Sequence, residues 1–181
     1  MYTPKQKTAL LEMAWQTLKQ FSVPSNIRLK DYDTVLQQDG ACFVTLYKQD
    51  GLRGCIGSLQ ATEPLIFNVA NNAFKAAFQD QRFLPLTPGE LHQLSLSISV
   101  LTPASELYFC SEAELLSQIR PNVDGLILKD TGHSATFLPI VWQSLPTVEM
   151  FWTELKQKAG LPINYWSQTL QVYRYTTVLI E

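Results

Sequence analysis

The sequence predicts an α+β fold with mainly antiparallel sheets, on three observations. Alternating apolar segments outnumber segments of helical period. Turn dipeptides join neighbouring strand segments, in "QDGL" at 49–52 and "DTGH" at 130–133, and hairpins imply antiparallel pairing. Strands and helices do not alternate in the order a parallel sheet requires. At 181 residues the chain has room for one sizeable core or two small lobes sharing an interface.

The first element is a helix. Thr3 is placed to cap it, Pro4 takes the first helical position and Gln6 completes a capping box. Leu10, Met13, Ala14, Leu18 and Phe21 form its apolar stripe, and Pro24 lies beyond its end. Residues 41–48 and 52–60 read as a hairpin turning at Asp50-Gly51. Thr62 and Pro64 open a second helix carrying "LIFNVANNAFKAAFQD", and Thr87 caps a helix start or turn in "LTPGEL". Residues 94–101, "LSLSISVL", alternate with period two as a half-buried strand. Ser111 and Glu114 form a capping box before a short helix that Pro121 ends. "VDGLILKDTGHSATFLP" is a second hairpin, turning at 130–132. A helix from about Thr147 to Ala159 stops at Gly160, and residues 170–180 form one long final strand. There is no internal repeat or flexible linker, so residues 1–181 read as one domain.

Composition narrows the function classes. The net charge is −2 and the basic residues are scattered, which disfavours non-specific nucleic-acid binding. No apolar run reaches the ~18 residues of a membrane span. The opening "MYTPKQKTAL" has no apolar signal core. Cys42, Cys55 and Cys110 are too sparse for a disulfide framework or a paired zinc motif. These features predict a cytoplasmic protein without a metal.

The stretch "GLRGCIGSLQ" at 51–60 carries Gly51, Gly54 and Gly57 in a segment otherwise suited to a core. Glycine weakens a strand interior by roughly 0.5–1 kcal/mol relative to alanine. Either backbone approaches backbone there, or a ligand approaches the chain. With a two-residue Asp50-Gly51 turn, Tyr47 faces Gly54, Leu46 faces Cys55 and Val44 faces Gly57. Alternation then places Arg53, Cys55 and Gly57 on one face with Cys42, Val44 and Leu46. A guanidinium beside a thiol favours the reactive thiolate, which makes Cys55 the candidate nucleophile and Gly57 room for a ligand. The competing reading is that Cys55 is a small buried hydrophobe, as free cysteines usually are.

The block "LRGCIG" resembles the signature of the AMMECR-one domain family. "GACFVTL", "LRGCIGSLQATEPL", "NAFKAAFQDQRFLPLTPGEL", "SISVLTP", "DGLIL", "ATFLPIVWQSLP" and "KAGLP" resemble its successive blocks, in order, over about residues 40–162. The resemblance implies two intertwined α+β subdomains with a cleft between them. The larger is built from both chain ends and the smaller from the middle, with "LRGCIG" near the cleft. It implies an association with Memo-type and radical SAM proteins, as in the AmmeMemoRadiSam system. The chain has no phosphate loop, dinucleotide fingerprint or H-E-x-x-H, so no cofactor is expected. Arg53, Gly54, Cys55, Gly57, Glu63, Asp80, Arg82, Phe83 and Thr136 match the family by position. Gln81, Ser97 and Ser134 depart from it, standing where proline, glutamate and arginine are frequent. An acid and a base lost together suggest an ion pair exchanged for hydroxyls.

Two functions follow. One is a ligand- or partner-binding module in which the motif is an architectural hairpin and the cleft engages a protein or RNA. The other is a small cleft enzyme, or accessory subunit, using Cys55 and Arg53. Asp80 and Arg82 read equally as a cleft ion pair, an anion site or surface hydrogen bonds at a helix end. His133 reads as an exposed hairpin histidine before it reads as a base, since no partner lies near it in sequence. Trp142, Trp152 and Trp166 read as core and interface aromatics, without the interleaved basic residues of a base-stacking platform.

Overall fold

The computed structural model of the chain describes residues 2–181. Among these residues the elements run, in chain order, α1 (Pro4–Gln20), β1 (Cys42–Lys48), β2 (Gly51–Gly57), α2 (Leu65–Phe78), β3 (Leu94–Leu101), β4 (Ser105–Leu107), α3 (Glu112–Gln118), β5 (Gly125–Asp130), β6 (His133–Phe137), α4 (Val148–Lys158), β7 (Gln171–Tyr175) and β8 (Thr177–Ile180). Two four-stranded sheets result, with the orders β2-β1-β3-β8 and β4-β7-β5-β6. The chain divides into two compact units, one running up to Leu101 and joined by Val178–Glu181, the other Thr102–Thr177. None of the helices among the described residues is long and apolar enough to cross a membrane.

In the first unit the capping box forms: Gln6 N–H donates to Thr3 Oγ1 at 3.3 Å, and Thr3 N–H to Gln6 Oε1 at 2.8 Å. The stripe Leu10, Met13, Ala14 and Leu18 is buried, in one cluster with Val44, Leu46, Ile98, Val100 and Ile180. Both chain ends therefore contribute to a single apolar core. A fully buried leucine or isoleucine contributes about 1.5–3 kcal/mol, enough to hold a four-residue last strand in place.

The second unit packs Phe151, Trp152 and Leu155 of α4 with Leu126, Leu128 and Val172 of the sheet. Trp142 stacks on Phe151 with centroids 3.9 Å apart, and its indole N–H donates to Asp124 O at 2.7 Å. Thr147 caps α4, and Gly160 follows its end with φ +77°. That conformation favours glycine, as the sequence indicated.

One expectation differs from the structure, and one strand is additional to those expected. The long final strand is two strands in different sheets. At Thr176 the peptide leaves the ladder, because its N–H donates to Thr102 Oγ1 and its C=O accepts from Thr102 N–H, each at 2.9 Å. The alternating pattern is blind to this break, since Thr suits a strand on either side. The short edge strand β4 was also not anticipated, having only three residues.

Candidate functional site

The hairpin of β1 and β2 is real, but its register differs from the expected one. Gln49 and Asp50 form the turn with φ 50° and 62°, and Gly51 already pairs with Lys48. Thr45 therefore faces Cys55, Leu46 faces Gly54, and Phe43 faces Gly57. The ladder slips between Leu46 and Tyr47, where Tyr47 pairs with Leu52 and Arg53 is the extra residue of a β-bulge. The bulge breaks the alternation that placed Arg53 beside Cys55. Arg53 turns instead to the side of Lys48 and Gly54, and Cys55 to the side of Thr45.

Each glycine then has a distinct reason. A Cβ on Gly54 would lie 2.2 Å from the carbonyl oxygen of Ala76, so β2 runs against the backbone of α2. A Cβ on Gly57 would lie 2.2 Å from the Phe43 ring, which covers that residue. The aromatic lying over a glycine is thus Phe43 over Gly57, not Tyr47 over Gly54.

Arg53 is 9% exposed. Its Nε and Nη2 donate to Glu90 Oε1 and Oε2 at 3.0 and 3.2 Å, and Nη2 also donates to Leu84 O at 2.9 Å. Lys48 Nζ adds a contact to Glu90 at 3.1 Å. Glu90 in turn accepts from the N–H and hydroxyl of Thr87, each at 3.0 Å. Arg53 and Arg82 approach the Phe83 ring at 5.9 and 5.5 Å from its centroid. The segment 79–90 is tied to the hairpin by this charge-assisted network.

β2 is an edge strand, and Asp80 and Arg82 close its edge at Cys55. Asp80, just past α2 and 6% exposed, accepts the Cys55 N–H at 2.9 Å. Arg82 Nη2 donates to Cys55 O at 3.3 Å and to Asp80 at 2.7 Å. The ion pair substitutes for a missing neighbour strand, one way of protecting an edge. The Cys55 Sγ accepts the Thr45 hydroxyl at 3.3 Å, and Ser97, next across the sheet from Thr45, is buried.

Glu63 belongs to a separate network at the far end of β2. It accepts from Asn68 and Asn71 at 3.0 and 2.8 Å. Asn68 Oδ1 accepts the Cys42 N–H at 3.0 Å, and Asn72 donates to Cys42 O at 3.1 Å. Burial pushes the Cys42 thiol up to about 12. Asn68 and Asn72 are not among the residues singled out in the sequence; their only signal there is the three asparagines of "NVANNAF" on an otherwise apolar helix.

His133 and Thr136 lie in the second unit. His133 is exposed, and its Nδ1–H donates to Ala159 O at 2.8 Å, closing the end of α4. The Thr136 hydroxyl donates to Leu126 O at 2.7 Å and lies 2.9 Å from the Tyr175 hydroxyl. Gln81 and Ser134 are exposed. Within the first unit the structure brings together Arg53, Gly54, Cys55, Asp80, Arg82 and Phe83, and adds Glu90, Lys48 and Thr45.

Acid should weaken this arrangement. The Arg82 guanidinium beside Asp80, and the Arg53 guanidinium beside Glu90, hold both carboxyls well below their ordinary range against the opposing effect of burial. In the unfolded chain they titrate near ~4. Unfolded chains therefore bind more protons as pH falls through ~4, and the stability present above ~5 is lost progressively below it. The urea midpoint should fall from about pH 5 to about pH 3, and Asp80→Asn should flatten that slope. An unchanged slope in the variant would show that Asp80 carries none of it.

A family model described as AMMECR1 matches residues 11–180. A Methanothermobacter thermautotrophicus protein is 38% identical over 157 residues, covering 83% of this chain and 80% of its own length. Protein MJ0810 of Methanocaldococcus jannaschii is 30% identical over 189 residues, covering 100% of this chain and 92% of its own. The crystal structure of uncharacterized protein PH0010 from Pyrococcus horikoshii superposes with a TM-score of 0.88 at 28% identity, over 98% of this chain and 91% of that one.

Proposed function

Since this chain belongs to the AMMECR1 family, we propose that it is a ligand- or partner-binding module acting with Memo-type and radical SAM proteins. The observation that carries the reading is the engagement of Arg53. Its guanidinium lies on Glu90 and the Leu84 carbonyl, so it orders a loop instead of activating the Cys55 thiol. On that loop Leu84 is 85% exposed, although its backbone is held from below. A large apolar side chain held in place on a rigid loop suits recognition, because little ordering remains to be done on binding.

The test is sedimentation of the purified chain with Memo-type and radical SAM proteins from the same genome. A complex with at least one of them is expected. Leu84→Asp should weaken it by ~10-fold or more with an unchanged urea midpoint, and Cys55→Ser should leave it intact. No complex with either protein, or equal affinity in the Leu84 variant, would overturn this reading. A turnover lost only in Cys55→Ser would favour the cleft enzyme.

A further inference from the structure

The second unit carries a groove lined by its own residues. It has a volume of about 240 Å³ and runs between residues 106–110 and 166–170. Three aromatic side chains line it. Tyr108 is 78% exposed and Trp166 38% exposed, and Phe109 lies with its ring centroid 5.6 Å from that of Trp166.

Both walls are held at their base. Gln118 Nε2 donates to Tyr108 O at 2.9 Å, and Glu114 accepts the Cys110 N–H at 2.8 Å, so α3 fixes the first wall. In the second wall the Tyr165 and Thr169 hydroxyls donate to the buried Asp130 at 3.0 and 2.7 Å. The exposed rings therefore stand on an ordered frame. The charge of the groove is one-sided. Glu106 is the only charged residue lining it, and among the described residues its carboxylate enters no salt bridge or side-chain hydrogen bond, while its backbone stays in the β4–β7 ladder. A groove lined by one carboxylate-bearing residue and three aromatic residues suits a cation, and a planar guanidinium best, since it can stack on a ring and pair with a carboxylate.

We propose that this groove receives an arginine side chain of a partner polypeptide. A polypeptide is favoured over a free small molecule by position: the groove begins at β4, the edge strand of its sheet. An extended segment laid along that edge would deliver a side chain to the rings, as in other strand-addition complexes. This site is independent of Leu84 and its loop, so either reading stands if the other fails.

The test is a titration of the intact chain with the tripeptide acetyl-Ala-Arg-Ala-amide, followed by NMR at the indole N–H of Trp166. That resonance is identified by its loss in Trp166→Phe. The expected result is a saturable shift at Trp166 that is absent with the citrulline tripeptide. Glu106→Gln and Tyr108→Ala should each weaken binding by ~5–10-fold while the remaining indole resonances keep their positions, showing an intact fold. An equal shift with citrulline, or undiminished affinity in Glu106→Gln, would overturn the cation assignment. Argininamide binding as tightly as the tripeptide would overturn the polypeptide assignment and leave a small-molecule site. No shift at Trp166 with any of the three would overturn the site itself.

Discussion

Gly54→Val is expected to lower stability by about 2–4 kcal/mol, seen as a reduced urea midpoint. The first added carbon would lie 2.2 Å from the carbonyl oxygen of Ala76. That obstacle is helix backbone, so no side-chain rotation can relieve it, and β2 must move away from α2. Movement would strain the Cys55 contact to Asp80 and the Arg53 contact to Glu90, which flank Gly54. Gly57→Ala gives a useful contrast. Its nearest obstacle is the Phe43 ring, which is able to yield, although the Cys42 carbonyl oxygen at 2.6 Å sets a limit. The alanine at 57 should therefore cost less than the valine at 54. Equal midpoints for wild type and Gly54→Val would sink the close-approach account of the motif.

The second large effect is expected for Arg53→Met, at about 2–3 kcal/mol. The variant leaves Glu90, whose side chain is 17% exposed, with Lys48 and Thr87 as its remaining partners. Those partners hold the loss below the ~3–5 kcal/mol of a buried pair broken outright. The Leu84 carbonyl also loses a donor. Amide exchange should accelerate across residues 84–90 before it does in α1 or β3, because the loop is released while the core stays packed. A double-mutant cycle with Glu90→Gln should return a coupling of at least ~1 kcal/mol. Independent, additive effects would mean that the ion pair holds nothing together.

The pattern of legible and illegible features has physical causes. Helix starts were read correctly at Thr3, Ser111 and Thr147, because a cap is a local bargain between a hydroxyl and a nearby N–H. Strand β3 was read to its exact ends, because its serines and aliphatics alternate without interruption. The hairpin is located, yet its turn lies one residue earlier than expected, so the register is off by two residues on the turn side of the bulge and by one beyond it. Asp50 itself adopts positive φ, so Gly51 is not needed in the turn. That slip, with the bulge at Arg53, sent Arg53 and Cys55 to opposite sides of the sheet.

By itself the sequence determined the α+β class, the positions of the helices and main strands, and the concentration of unusual chemistry in "LRGCIG". All of these depend on neighbours within about ten residues. Only the tertiary structure decided what that chemistry meets. Glu90 lies 37 positions from Arg53, and Asp80 lies 25 from Cys55, separations at which periodicity carries no information. Whether a guanidinium activates a thiol or anchors a loop depends on which group stands within about 3 Å of it. That distance is set by how α2 and the segment after it pack against the edge of the sheet.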